Sequence, residues 1–211
     1  TYSYNVAVGS ASGQLLTTGI KNTFVGARTA YAQTTASNNT FIGNHAGYDV
    51  TTGSNNTFVG NDAGVNATTA EANTILGSFA GDGLTTGSSN VAVGYAALSA
   101  EDVGQWNVAV GRNALTAQNT ASASNVYNVA VGGYAGSSVS TGTYNTLIGG
   151  LAGQALTVAY NNVAVGYGAL YVDLKGHRST AIGTNALGSQ QFGSSTNTYN
   201  LVLVQVLQQD M

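Results

Sequence analysis

The sequence predicts an all-β fold, a parallel β-solenoid in which each repeat forms one coil. A five-residue phrase of Asn, a β-branched residue, an apolar residue, a branched aliphatic residue and Gly recurs at a step of 17 residues. A fixed period of this kind indicates a repeat architecture. Only 6% of the 211 residues are charged, 29 are Gly, and Pro and Cys are absent. No segment shows the apolar period of an amphipathic helix.

The clearest copy of the phrase is Asn56-Thr57-Phe58-Val59-Gly60. Twelve copies begin at Asn5, Asn22, Asn39, Asn56, Asn73, Asn90, Asn107, Asn128, Asn145, Asn162, Ser179 and Asn200. The last lacks the Gly, and the steps from Asn107 to Asn128 and from Ser179 to Asn200 are 21 residues. The extra residues, within 112–127 and 184–199, are predicted to form loops on one face.

Each repeat has the composition of one coil. The phrase is a strand by its β-branched and apolar content. Ala-Gly or Ala-Leu follows its Gly as a turn, and a polar segment, often Thr-Thr-Gly, precedes the next strand. A β–α unit needs about 30 residues, so a 17-residue repeat holds only short extended pieces and turns. With adjacent coils about 4.8 Å apart, the rod is predicted to be about 53 Å long.

Successive strand residues point to opposite faces, so Thr57 and Val59 share one face and Phe58 lies on the other. Both faces are apolar or small, as in strands buried on both sides. The inside of one coil covers only one face, so we expect another subunit to pack along the rod. The face carrying Phe24, Phe41 and Phe58 is assigned to this subunit interface.

Repeated positions become ladders in such a stack. The Asn side chains are expected to form an amide ladder in which each bonds the next. Residues 1–200 are predicted to form the repeat domain. Residues 201–211, with the apolar run Leu201–Leu207, are predicted to be a capping strand or the start of a stalk, since solenoids need caps.

Charge and composition exclude several classes of function. The net charge of −3 offers no basic patch for nucleic acid. No apolar run is long enough to insert into a membrane. There is no phosphate loop, and no metal cluster or cofactor site is predicted.

Two carboxylates are candidates for catalytic groups. A glycan hydrolase needs two facing carboxylates about 5–10 Å apart. Asp82 and Glu101, in neighbouring coils, are the only credible pair. Both also suit solvated turns, and the sequence is expected not to be that of an enzyme.

Aromatic residues are the better candidates for binding. Trp106, the single Trp, directly precedes a strand phrase. Tyr127, Tyr144, Tyr160 and Tyr199 are assigned the same slot in other coils. These rings would serve as stacking platforms for carbohydrate, or would cover a semi-buried corner of the coil.

Two stretches carry a family resemblance, Asn39-Thr40-Phe41-Ile42-Gly43-Asn44-His45-Ala46-Gly47 and Asn90-Val91-Ala92-Val93-Gly94-Tyr95-Ala96-Ala97-Leu98. They resemble repeats in the heads of trimeric autotransporter adhesins and in the shafts of bacteriophage tail fibres and tail spikes. The resemblance implies a left-handed β-roll of about twelve coils, assembled as an intertwined or side-by-side homotrimer. The 17-residue repeat is longer than the usual adhesin-head repeat, which favours the fibre.

The function expected from this resemblance is that of a structural and receptor-binding fibre protein in a virion tail fibre. Its partners would be other fibre or tail proteins and a host surface glycan or outer-membrane receptor. The alternatives are a bacterial adhesin head at the extracellular cell surface and a polysaccharide depolymerase using Asp82 and Glu101. An ice-binding solenoid, suggested by Thr23, Thr40, Thr57 and Thr74 in register, is a further hypothesis.

Overall fold

The computed structural model describes residues 3–120, 125–192 and 194–203. It confirms an all-β parallel β-solenoid with a 17-residue repeat, in which each strand pairs with the strand of the next coil. Twelve strands form the main sheet and two form a small second sheet. The strands are β1 (Val6–Val8), β2 (Thr23–Val25), β3 (Thr40–Ile42), β4 (Thr57–Val59), β5 (Thr74–Leu76), β6 (Val91–Val93), β7 (Val108–Val110), β8 (Val129–Val131), β9 (Thr146–Ile148), β10 (Val163–Val165), β11 (Gly176–His177), β12 (Thr180–Ile182), β13 (Thr196–Asn197) and β14 (Leu201–Val202).

The strand register continues through both 21-residue steps. Ala109 pairs with Ala130 across the first step, and Thr180 pairs with Leu201 across the second. The residues of the two longer steps that the structure describes therefore leave the register of the main sheet unchanged. In the second of the longer coils, β13 pairs with β11 in the small sheet. Residues 121–124 of the first longer coil lie outside the described residues.

The inward face of the sheet is the opposite of the one expected. The middle residue of each strand from β2 to β10 is buried, and its two neighbours are partly or largely exposed. Phe24, Phe41 and Phe58 are 0% exposed within a single chain, and their rings stack at 5.8 and 4.7 Å. Their assignment to a subunit interface is wrong, because the coil closes around its largest apolar side chains and removes them from water.

Two positions of the coil interior, the middle of the strand and the residue six places later, share one space, and in most coils only one of them carries a large side chain. Where the strand supplies Phe41, the residue six places later is Gly47, on which a Cβ would lie 2.6 Å from the Phe41 ring. Where the strand supplies Ala92, the equivalent residue is the fully buried Leu98. The coil of Ala130 has small residues at both positions, and Leu115, Leu147 and Val139 of the surroundings fill the space beside Gly136.

The Asn side chains form a buried ladder that runs from side chain to backbone. Oδ1 of Asn39 accepts a hydrogen bond from the backbone N–H of Asn56 at 2.9 Å. Nδ2 of Asn56 donates to the carbonyl of Ala70, 14 residues later, at 2.8 Å. Direct bonds between Asn side chains, which were expected throughout, are long at 3.2 Å and join only a few pairs, such as Asn73 and Asn56.

The C-terminal run begins as a strand of the main sheet. Leu201 and Val202 form β14, which pairs in parallel with β12, as a capping strand would. The rest of the run, from residue 204 onwards, lies outside the described residues. The described residues therefore do not distinguish a capping strand from the start of a stalk. In the ranges that the structure describes, no helix is long and apolar enough to cross a membrane.

The Phe41 side chain occupies space that a side chain at Gly47 would otherwise fill, and this relation can be tested by mutation. Phe41→Ala leaves a cavity in the coil and should lower the free energy of unfolding by about 3–5 kcal/mol. The double variant Phe41→Ala/Gly47→Leu should recover most of that loss, because Leu98 occupies the same place beside Ala92 with a left-handed φ of 55°. Urea denaturation of the three proteins measures the difference. If the single and double variants were equally stable, the idea that a side chain at position 47 can fill the space of the Phe41 ring would be contradicted.

Candidate binding surfaces

The first and third residues of β1–β10 and β12 form one exposed surface, here called the outer face. Its first column is Val6, Thr23, Thr40, Thr57, Thr74, Val91, Val108, Val129, Thr146, Val163 and Thr180, and its second is Val8, Val25, Ile42, Val59, Leu76, Val93, Val110, Val131, Ile148, Val165 and Ile182. Every member is Thr or a branched aliphatic residue, and none is charged. Ile42 and Ile148 are each 39% exposed.

The outer face is continuous because the strands pair in register from β1 to β12. With strand spacing of about 4.8 Å and a width of about 10 Å, its area is on the order of 500 Å². This size lies at the upper end of apolar patches on monomeric proteins, roughly 300–600 Å², and such patches often mark interaction sites.

A ridge of aromatic side chains lies at the coil corner that precedes the Asn ladder. Trp106, Tyr127 and Tyr144 occupy this corner in successive coils, with left-handed φ angles of 64°, 52° and 59°. Their rings stack at centroid distances of 6.3 and 5.7 Å and are 48%, 44% and 52% exposed. This aromatic ridge presents ring edges and hydroxyl groups to solvent, and Asn125 donates to the Tyr127 hydroxyl at 3.2 Å.

Tyr160 does not belong to the aromatic ridge, so its assignment to the same slot is wrong. Asn161 fills the corner of that coil, and Tyr160 lies one residue earlier. Its ring is partly buried and stacks on the His177 imidazole at 3.9 Å. Tyr199 does lie in the corner column, beyond Arg178, whose guanidinium is 5.4 Å from the Tyr199 ring centroid.

His177 is a buried hydrogen-bond acceptor. Its Nδ1 accepts from the backbone N–H of Tyr160 at 3.2 Å. Ser37, Ser54 and Ser88 supply a hydroxyl oxygen at the same position of other coils. Burial lowers the pKa of His177 below its usual 6.5, and the charge of Arg178 acts in the same direction, while the charge of Asp173 opposes it.

Asp82 and Glu101 do not form an accessible pair of carboxylates. Glu101 is 0% exposed and occupies an inward column, where its Oε1 accepts from the backbone N–H of Gly104 at 2.8 Å and from the Thr120 hydroxyl at 3.1 Å. Asp82 lies two positions earlier in its own coil and is only partly buried; desolvation raises its pKa. A hydrolytic mechanism that uses these two residues therefore lacks one of its two accessible carboxylates, because Glu101 is buried in the coil interior.

A second set of exposed aromatic residues follows the strand Gly and was not singled out from the sequence. Tyr95 and Tyr167 come directly after Gly94 and Gly166, and this position is the signal that would have identified them. Tyr95 is contacted edge-on by Phe79 at 5.8 Å, and the Arg112 guanidinium lies 5.6 Å from its centroid.

His45 and Asp62, at equivalent positions of adjacent coils, lie with Nδ1 and Oδ1 3.1 Å apart. Outside residues 1–2, 121–124, 193 and 204–211, no group of three or more His, Asp or Glu side chains could hold a metal ion. Comparison with models of known families, with curated proteins and with solved structures finds no significant match to this chain.

The acceptor role of His177 predicts a pH dependence of stability. Because its pKa is lower in the folded chain than the usual 6.5, the unfolded chain binds the proton more readily. Its contribution to stability is therefore complete above pH 6.5 and is lost as the pH falls below that value towards the folded pKa. In His177→Ser, which keeps an acceptor that other coils use, this part of the pH dependence should vanish. Melting temperatures on either side of pH 6.5 measure it; identical profiles for the two proteins would contradict it.

Proposed function

We propose that this chain is a structural and receptor-binding fibre protein, a homotrimeric β-solenoid that attaches a phage tail fibre to a host cell surface. The observation that carries the proposal is the outer face, which exposes uncharged β-branched and aliphatic side chains on successive strands along the rod. The repeat resemblance supports the choice of a fibre. A bacterial trimeric adhesin head at the extracellular cell surface is the alternative for the same architecture.

Copies of the chain itself are the occupant that best suits the outer face. Every coil presents the same pair of outward side chains, so parallel copies match one another along their whole length. Three such faces around one axis form a closed assembly, and closed symmetry is the rule in soluble oligomers. The interface proposed from Phe24, Phe41 and Phe58 is thereby replaced by one made from their outward neighbours, such as Val25, Ile42 and Val59.

The aromatic ridge supports attachment to a neutral, hydroxyl-rich receptor. Tyr and Trp combine an apolar body with a polar group, and Asn and Ser residues surround the ridge. With charged residues at 6% of the chain, the surface recognises partners mainly by hydrogen bonds and aromatic contact. A host surface glycan is therefore the preferred receptor, with an outer-membrane protein as the alternative. Other fibre or tail proteins would join the rod at its ends in the virion.

The trimer is tested with a charge on the outer face. Val110→Glu places a carboxylate in the proposed interface, where burial without a partner is strongly unfavourable, so a trimer should dissociate. Thr69→Glu is the matched control, since Thr69 is exposed and lies away from the outer face. Native mass spectrometry at micromolar concentration measures the oligomeric state.

A wild-type chain that is a stable monomer at this concentration would contradict the trimer. The ice-binding hypothesis would then rest on the run of Thr from Thr23 to Thr74, although Val6 and Val91 interrupt the Thr column on either side of this run. Thermal hysteresis measured with the monomer would indicate that the outer face binds ice.

The aromatic ridge is tested by removing its end rings. Trp106→Ala and Tyr144→Ala should each weaken binding of the assembled protein to host cells roughly tenfold, as the loss of an aromatic anchor typically does. Tyr95→Ala is the control, because Tyr95 is similarly exposed, at 51%, but lies off the ridge. Flow cytometry with labelled protein gives the affinities. Unchanged binding in both ridge variants would exclude the ridge as the attachment site.

A further inference from the structure

A small pocket lies on the surface of the C-terminal coils, away from the aromatic ridge. Its volume is about 220 Å³, and Leu151, Tyr167, Gly168, Tyr171 and Asn185 line it. No lining residue carries a carboxylate, an ammonium or a guanidinium group. The pocket is smaller than the roughly 300–1,000 Å³ of sites that enclose drug-sized ligands, so it suits a single ring.

The pocket exists because a side chain is missing from one coil. Leu151, Gly168 and Asn185 are equivalent residues of three successive coils, all with left-handed backbone at φ 60°, 64° and 55°. Gly168 leaves a gap between the other two side chains, and Asn185 leans over it, so that a Cβ on Gly168 would lie 2.5 Å from Asn185 Oδ1. The backbone of this column is held by the coil below, as in the 2.8 Å bond from Asn185 N–H to the Tyr167 carbonyl. The gap is therefore preformed.

Both tyrosines expose part of their ring surface beside the pocket, and the Tyr167 ring lies over Gly150, 3.4 Å from where a Cβ of that residue would stand. Tyr167 is 57% and Tyr171 39% exposed, and neither contacts another ring in the part of the chain that the structure describes. Tyr31 and Tyr48, in the same column as Tyr171, instead stack on each other at 5.0 Å.

The polar groups of the pocket are also free. Within the described ranges, no side-chain hydrogen bond engages the Tyr167 hydroxyl, the Tyr171 hydroxyl or the Asn185 amide. Two phenols and one amide thus supply donors and acceptors beside two aromatic faces, without a charge.

We propose that this pocket binds one neutral sugar ring, with the apolar C–H face of the ring against Tyr167 or Tyr171 and its hydroxyl groups hydrogen-bonded to Asn185 and the phenols. The absence of a cation in the lining disfavours acidic sugars. This proposal rests on the proposed function, in which the chain binds a host surface glycan. It adds a second receptor contact, separate from the aromatic ridge.

The test uses the wild-type protein and the methyl glycosides of glucose, galactose, mannose and N-acetylglucosamine, with methyl glucuronide as the acidic comparison. Saturation-transfer NMR should show contact with ring protons of at least one neutral glycoside, and titration should give its affinity. Tyr167→Ala and Tyr171→Ala should each weaken binding roughly tenfold, as expected when one stacked aromatic contact is lost. Tyr95→Ala, in the same column as Tyr167, should leave the affinity unchanged.

Gly168→Asn fills the pocket and keeps the left-handed backbone that Asn113 and Asn185 already adopt in that column. Its Cβ would lie 2.5 Å from Asn185 Oδ1, so the Asn185 side chain must move aside. The variant should abolish glycoside binding with only a small decrease in melting temperature. Absence of binding by the wild-type protein, or binding that survives Gly168→Asn, would overturn the inference. If Gly168→Asn still bound host cells while Trp106→Ala did not, the sugar pocket would be excluded as a receptor contact but the proposed function would stand. Failure of this inference can therefore be told apart from failure of the proposed function.

Discussion

The fold depends on hydrogen bonds that hold each coil in register with the next. The buried Asn ladder sets this register, since each amide accepts from the backbone N–H at the equivalent position of the next coil. All but Asn107, whose Nδ2 has no partner among the described residues, also donate to a carbonyl 14 residues later. An unpaired buried donor or acceptor costs about 1–3 kcal/mol, so a shift by one residue would leave many such groups unpaired at once. At the first insertion the bond from Asn128 N–H to Asn107 Oδ1 lengthens to 3.3 Å, yet the sheet keeps its register.

A constant register makes every level of the interior nearly the same size. The strand and the turn that follows it share this space, so Phe41 is accompanied by Gly47, and Ala92 by Leu98. Polar residues that enter the interior are bound to the backbone: Gln33 donates to the Ala36 carbonyl, and Asp173 accepts from the Gly176 N–H. Glu101 is a further member of this group, which explains why a carboxylate in the middle of the chain does not face solvent as a catalytic group would.

The same register turns single exposed residues into continuous surfaces. The outer face is apolar because its columns repeat β-branched and aliphatic residues, and the aromatic ridge exists because three corners in a row carry Trp or Tyr. Where the repeat is interrupted, as at Gly168, a gap forms between neighbouring side chains. Candidate sites in this solenoid therefore arise from departures from the repeat as much as from the repeat itself.

The sequence by itself determined the coil length, the strands, their parallel pairing and the corner position of Trp106, Tyr127 and Tyr144, because a fixed period forces equivalent residues to stack. It did not determine which strand face turns inward. Both faces are apolar, so alternation alone left Phe41 and its neighbours Thr40 and Ile42 interchangeable, and only closure of the coil placed the ring inside. The burial of Glu101 and the pocket beside Gly168 were likewise decided by the tertiary structure, because both depend on contacts between residues of successive coils that no local pattern records.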